Sequence, residues 1–470
     1  MSVFGKSELR MTEGSIPGKI IMFAIPLFLG NLFQQLYNTA DTYIVSRLLG
    51  DEALAAVSST GTLIFLLVGF FNGVFLGAGV VIARFYGSKD VKNMRAAIHT
   101  SLVLAMIFGI ILTLIGTLLS PQLLVLMDTP KDVLPMSVSY VRTYFTGVIG
   151  MVMYNACMGI MQAIGDSRSP LFFLIISSVT NIALDYVLVK FTPLNVAGAA
   201  LATIIAQFLS VILCMIKLVR LKNDARVSFR ELRLDLPIAK MILRFGLPTG
   251  LQNSVISLAN VVVQSKINFF GKAAMAGCGA FNKIEGFAFL PVTSFTAAIS
   301  TFVSQNLGAK EYGRVKKGSR FGIAVSVLLA ETIGTLIFVF ARPIIDVFTS
   351  GEEALQYGID KARICGLFFG LCALCHGLAS VMRGAGKAVV PMVAMLSTWC
   401  LIRVAILEIF VPITKTIDIV NWVYPITWAL CALIMLVYYF AVDWIRAGEA
   451  KPAQPAGSAA VIDPEESEEL

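Results

Sequence analysis

The chain is short of charge. Asp, Glu, Lys and Arg make up 14% of its 470 residues, against roughly 25% in soluble domains. With 57% hydrophobic residues it lacks the polar groups to cover a water-soluble surface. That excludes a soluble enzyme or binding module and leaves a membrane protein, long enough for about a dozen helices of ~20–25 residues. It also lacks a Walker "GxxxxGK[ST]" run, which excludes ATP hydrolysis by this chain. The eight cysteines are scattered through apolar runs and form no disulfide framework. One stretch, "CALCH" at Cys372–His376, fits a C-x-x-C-H haem-attachment pattern, but it lies deep in a predicted span where attachment machinery has no access. The N-terminus, "MSVFGKSELRMTEGSIPGK", is polar and precedes a long apolar run without a cleavage site, so the first helix is expected to stay in the mature protein.

What is present is a run of apolar segments. Stretches near 19–46, 53–83, 96–119, 135–163, 169–190, 195–219, 238–269, 275–304, 318–341, 355–382, 388–411 and 418–445 predict twelve spanning helices. The net charge of +8 comes from Lys and Arg in alternate loops, such as "GSKDVKNMR" and "GAKEYGRVKKGSR", a topology signal rather than a nucleic-acid footprint. It places both termini in the cytoplasm. The halves also repeat. "FAIPLFLGN" (23–31) matches "FGLPTGLQN" (245–253) at a shift of 222; "ARFYGSKD" (83–90) matches "SQNLGAKE" (304–311), and "QAIGDSRSP" (162–170) matches "RGAGKAVVP" (383–391), at 221. Six spans per half give the repeats one orientation, an arrangement that sets a substrate site between halves. The expected organisation is a cytoplasmic segment 1–18, an N-lobe 19–219, a basic linker 220–237, a C-lobe 238–445 and a disordered acidic tail 446–470.

The first span carries an anomaly. Asn31, Gln34, Asn38 and Asp41 recur at three- and four-residue spacing, with Gln35 and Thr42 beside them, and so form one polar stripe. A carboxylate at mid-span costs roughly 2.5–3.5 kcal/mol on insertion scales, so Asp41 is expected to face a bundle or a wet cavity. In the fifth span Asn181 and Asp185 share a face, and Thr203 is the only threonine of a sixth span built from small residues. Two carboxylates, an amide and a hydroxyl form an all-oxygen set suited to Na+. The same pair can hold a proton, because close carboxylates in low dielectric resist double ionisation. The alternative is polar glue between helices. Glu285, a carboxylate in the middle of the eighth span, is a candidate for coupling or for attracting cationic cargo, the bland account being a pair with Lys283 or another base. Arg383 is expected to snorkel near the cytoplasmic end, and Arg403, Glu408 and Glu331 to pair structurally. Pro26 and Pro248 each remove a helical hydrogen bond and can bend spans one and seven. Gly69, Gly73 and Gly77 present a close-packing face.

The opening "MTEGSIPGKIIMFAIPLFLGNLFQQLYNTADTYIVSRLLGDEALAA" resembles that of the multidrug and toxic compound extrusion (MATE) transporters, and "GFAFLPVTSFTAAISTFVSQNLGAKEYGR" and "VMRGAGKAVVP" look like their second-half signatures. The resemblance covers residues from about 12 to 445 and is nearest the DinF-like branch. It implies an all-α membrane fold of twelve transmembrane helices in two parallel six-helix repeats (the MATE/MOP-type fold). It places the coupling-cation site on Asp41, Asn181, Asp185 and Thr203, with Tyr37 lining it, and the cargo chamber around Gln34 and Asn155. The functional expectation is a monomeric antiporter of the bacterial inner membrane, without cofactor. It would trade H+ or Na+ for drugs and other small, mainly cationic organic compounds. Two rivals stand beside it: a lipid-linked oligosaccharide flippase of the same superfamily, which would carry a more cationic cavity, and an intramembrane aspartyl enzyme using Asp41 and Asp185, which has no need of two matching halves.

Overall fold

A computed structural model describes residues 9–127, 129–130, 132–349 and 351–445 of the chain; the tail expected to be disordered, 446–470, lies outside them. All the regular structure described is helical. In chain order the helices are α1 (Ile16–Leu49), α2 (Asp51–Gly87), α3 (Val91–Leu126), α4 (Leu134–Thr146), α5 (Val148–Ala163), α6 (Arg168–Phe191), α7 (Val196–Val219), α8 (Leu236–Phe269), α9 (Lys272–Ala288), α10 (Leu290–Gly308), α11 (Tyr312–Val339), α12 (Ala341–Asp346), α13 (Glu352–Gly366), α14 (Phe369–Gly384), α15 (Val389–Met395), α16 (Arg403–Thr414) and α17 (Asp418–Ala441). A π-helical segment, Leu396–Ile402, joins α15 to α16.

Among the described residues nine helices are long and apolar enough to cross a membrane, eleven when two bent pairs are each counted as one span. The pairs are α4 with α5, bent by 47°, and α13 with α14, bent by 52°. The twelfth expected span is α8, whose 34 residues include Lys240, Arg244, Gln252, Asn253 and Lys266 and keep it below that apolarity. The α13–α14 break frees helix-terminal amides that need partners; Glu331 of α11 supplies one, accepting from Gly370 N at 2.8 Å.

The repeat is visible in the backbone. α1 and α8 are each 34 residues long. Positive φ recurs 221 residues apart at Gly50 and Gly271, at Lys89 and Lys310, and at Gly165 and Gly386. The two lysines, at φ 59° in both halves, end identical turns: Asp90 N donates to Phe85 O as Glu311 N donates to Asn306 O. One large hydrophobic core gathers Val45 to Phe245, a second Ala280 to Ile445.

Between the cores Gly73 and Gly77 of α2 act as expected. A Cβ on Gly73 would lie 2.3 Å from Gly250 N of α8, and one on Gly77 2.3 Å from Gly246 N, so the two backbones touch. At the ends bearing the basic loops, Ser304 Oγ donates to Val80 O (2.7 Å) and Gln305 Nε2 to Ala163 O (2.7 Å). The segment before α1 is threaded into this junction. Met11, fully buried, donates its N–H to Gln305 Oε1 (3.0 Å) and accepts from Asn306 and Arg314 (both 3.1 Å). The linker also docks: Arg95 Nε donates to Asp224 O (2.9 Å), Ser228 N to His99 Nε2 (3.1 Å) and Asp235 N to Thr100 Oγ1 (3.2 Å).

Candidate functional site

α1, α6 and α7 bring Asp41, Asn181, Asp185 and Thr203 to one place. The Asp41 and Asp185 carboxyl groups lie within hydrogen-bonding reach of each other. Asp185 is fully buried and Asn181 nearly so. Asn181 Nδ2 donates to Thr203 Oγ1 at 3.5 Å, and that hydroxyl donates in turn to Ala199 O at 3.1 Å. The pairing leaves a surplus of acceptors. Asp41 Oδ1, Asn181 Oδ1, both carboxyl oxygens of Asp185 and Gln207 Oε1 are buried without a hydrogen-bond donor. Buried oxygens are satisfied in the large majority of cases, so this group wants a cation or a proton. Tyr37 stands beside it, within reach of Gln34 and Gln207 and near both carboxyls.

The polar stripe of α1 does not act as one face. Asn31 reaches across to α10, where its Nδ2 donates to Ser294 Oγ (3.2 Å) and Thr293 Oγ1 (3.4 Å). Gln34 lines a chamber, Asn38 is exposed, and Asp41 turns to its acidic partner. The stripe runs about 15 Å along the helix at 1.5 Å per residue, far enough for α1, which packs on α6 and on α10, to present different neighbours to its two ends.

Next to the carboxyl pair are two adjoining cavities of about 200 and 270 Å³ that share Gln34, Met151, Asn155, Met158, Gln162 and Ala297. Gln34 and Asn155 thus line one chamber, bounded by α10 on the other side, and Pro26 lies in its wall. Asn155 turns its Nδ2 onto Met151 O (2.9 Å). Glu285 does not join them. It lines a separate cavity of about 380 Å³ inside the second half, where its cationic neighbours are Lys361 and Arg403 rather than Lys283. Arg403 and Glu408, expected as structural charges, do not pair with each other: Lys266 Nζ takes Glu408 at 2.7 Å. Arg383 sits half-buried in the last turn of α14, its Nε buried without a partner. His376 of "CALCH" packs edge-on between the Phe289 and Trp399 rings, and all eight cysteines are free and buried.

Two neighbours of the acidic pair were not anticipated. Gln207 stands one turn after Thr203 on α7, a spacing that could have revealed it. Tyr140 of α4 lies near Asp41 and Asp185 and is buried; nothing in its local sequence separates it from an ordinary core tyrosine.

A family profile described as MatE matches the chain twice, over residues 26–187 and 248–407, the two halves of the repeat. The probable multidrug resistance protein YoeA of Bacillus subtilis is 30% identical over 438 residues, covering 92% of this chain and 95% of its own. The probable multidrug resistance protein NorM of Thermotoga maritima is 26% identical over 387 residues, covering 81% and 83%. Among solved structures, MATE in complex with MaL6 superposes at a TM-score of 0.87 with 23% identity, over 93% of this chain and 98% of the other. The outward-facing conformation of a multidrug resistance MATE transporter of the MOP superfamily gives 0.86 with 22% identity, over 94% and 98%. With both halves matched by the profile and nearly the whole fold shared, the chain belongs to the MatE family of membrane transporters.

Proposed function

We propose that this transporter exports small organic compounds, mainly cations, across the bacterial inner membrane in exchange for H+ or Na+, with both termini in the cytoplasm. The observation that carries the coupling is the carboxyl pair, Asp41 half-buried and Asp185 fully buried, ringed by oxygens that lack donors. A cation entering this set neutralises charge that low dielectric makes costly. Asn181 and Thr203 would complete its oxygen shell, and Tyr37 would relay the change to Gln34 at the chamber wall. Coupling needs only that the ion prefer one conformation of α1 over another, and cargo then competes for a chamber whose wall belongs to the same helix. A flippase would want cations around this chamber; its polar lining of Gln34, Asn155, Gln162 and Gln207 carries none.

Uptake of ethidium into proteoliposomes under imposed proton or sodium gradients tests the reading. Gradient-driven transport is expected in the wild type and lost in Asp41→Asn and Asp185→Asn. Normal transport by both variants would overturn the site.

A further inference from the structure

The second half of the molecule balances its charges differently. Its 380 Å³ cavity, large enough for a small drug-sized ligand, is bounded by α8, α9, α14, α17 and the π-helical segment. Arg403, at 3% exposure, lines it, and Lys361, at 1%, is buried directly behind its lining residues Asn282 and Tyr424. Among the described residues neither has a carboxylate within the 4.0 Å of an ion pair. Lys361 gives one hydrogen bond, to Asn282 Oδ1 (3.0 Å), and lies 5.1 Å from the Tyr424 ring centroid. Arg403 directs Nε and Nη2 at Thr427 Oγ1 (3.2 and 2.8 Å) and stacks over Tyr424 (4.5 Å) and Trp399 (5.5 Å). An ammonium has three donors and a guanidinium five, so donors remain unspent. Glu285 is the one carboxylate acting on both through space. The cavity therefore lacks one negative charge.

Its walls add a shape. Phe289, Trp399, Tyr424 and Trp428 line it, and the π-helical segment that carries Trp399 ends at Arg403. Such segments concentrate at functional sites because they re-aim side chains. The matching helix of the first half, α6, is regular throughout. We propose that this cavity binds planar aromatic anions. Their carboxylate, sulfonate or phosphate would complete the charge balance with Arg403 and Lys361, and their rings would stack on the aromatic walls. The inference deepens the export reading by giving the second half a cargo class of its own.

The test is equilibrium binding, so loss of cation coupling leaves it standing. All four tryptophans lie in this half and two line the cavity, so intrinsic fluorescence of the purified full chain reports occupancy. Flavin mononucleotide is a planar aromatic phosphate monoester that absorbs where tryptophan emits; riboflavin is the same ring without the phosphate. The mononucleotide is expected to bind about tenfold tighter, the scale of one charge-assisted hydrogen bond. Lys361→Met and Arg403→Gln should each erase that preference, and Glu285→Gln should enlarge it. Equal affinities for the two flavins would overturn the proposal, as would a preference surviving in both cation variants or shrinking in Glu285→Gln. If the cation variants fail to fold, the wild-type comparison and Glu285→Gln decide it.

Discussion

Replacing Asp185 by Asn should make the protein more stable while it abolishes coupling. Asp185 is fully buried, and neither of its carboxyl oxygens has a donor. Asparagine keeps the shape and removes the charge. Neutralising a mid-span carboxylate recovers roughly 2.5–3.5 kcal/mol on insertion scales. The repulsion also disappears: two unit charges ~4 Å apart at an effective dielectric of ~20 interact by about 4 kcal/mol, an upper bound reached only when both acids are ionised. The amide introduced by Asp185→Asn can in addition donate to Asp41 Oδ1, now unpartnered, for about 1 kcal/mol. Against these stands the loss of any bound cation, which stabilises by about 2.7 kcal/mol when present at a hundredfold over its dissociation constant. In choline buffer, at a pH high enough to ionise Asp185, the net gain is therefore about 3.5–4.5 kcal/mol before any repulsion is added. The assay is thermal unfolding in detergent. The variant should melt a few degrees above wild type, with the gap closing in acid, where the wild-type carboxyls are neutral too. Adding saturating coupling ion should close it from the other side. A variant that melts below wild type in alkaline buffer without coupling ion would refute the idea that Asp185 is held at an energetic cost for its function.

Other outcomes follow from the same geometry. Gly77→Ala places a methyl 2.3 Å from Gly246 N and should cost about 1–3 kcal/mol, whereas Gly279→Ala, with nothing within 4 Å, should stay within about 0.5 kcal/mol; equal melting temperatures would discount the α2–α8 contact. Arg314→Ala removes hydrogen bonds to Gly14 O (2.9 Å), Met11 O (3.1 Å) and Asn306 Oδ1 (3.1 Å), so trypsin should cut faster after exposed Arg10; an unchanged cleavage rate would show that the segment is held by its apolar contacts alone. Pro26→Ala restores a helical hydrogen bond in the chamber wall and should slow ethidium export while leaving its equilibrium binding intact, and normal export would remove bending at Pro26 from the mechanism. Lys266→Ala breaks the pair with half-exposed Glu408 and should change stability by less than about 1 kcal/mol; a larger drop in melting temperature would mark the pair as buried in the membrane.

Some of this architecture is local and so was readable residue by residue. Lipid tolerates only helices whose backbone groups are internally satisfied, so apolar runs and basic loops were enough to delimit the spans and the repeat. A mid-span acid must avoid lipid, so Asp41 pointed inward, and the i, i+4 spacing of Asn181 and Asp185 put them on one face. Other features depend on which helices meet. Whether Asp41 touches Asp185 is decided by the packing of α1 against α6, and the division of the polar stripe by the position of α1 between α6 and α10. The partners of Glu285 come from α13 and α16, 76 and 118 residues away in sequence, and spacing along one helix carries no information about them. Composition and periodicity determined that this chain spans a membrane in two like halves, because solvation acts on each residue separately. Only the tertiary structure decided that one half holds unpaired acids and the other unpaired bases, because a charge balance is a sum over neighbours.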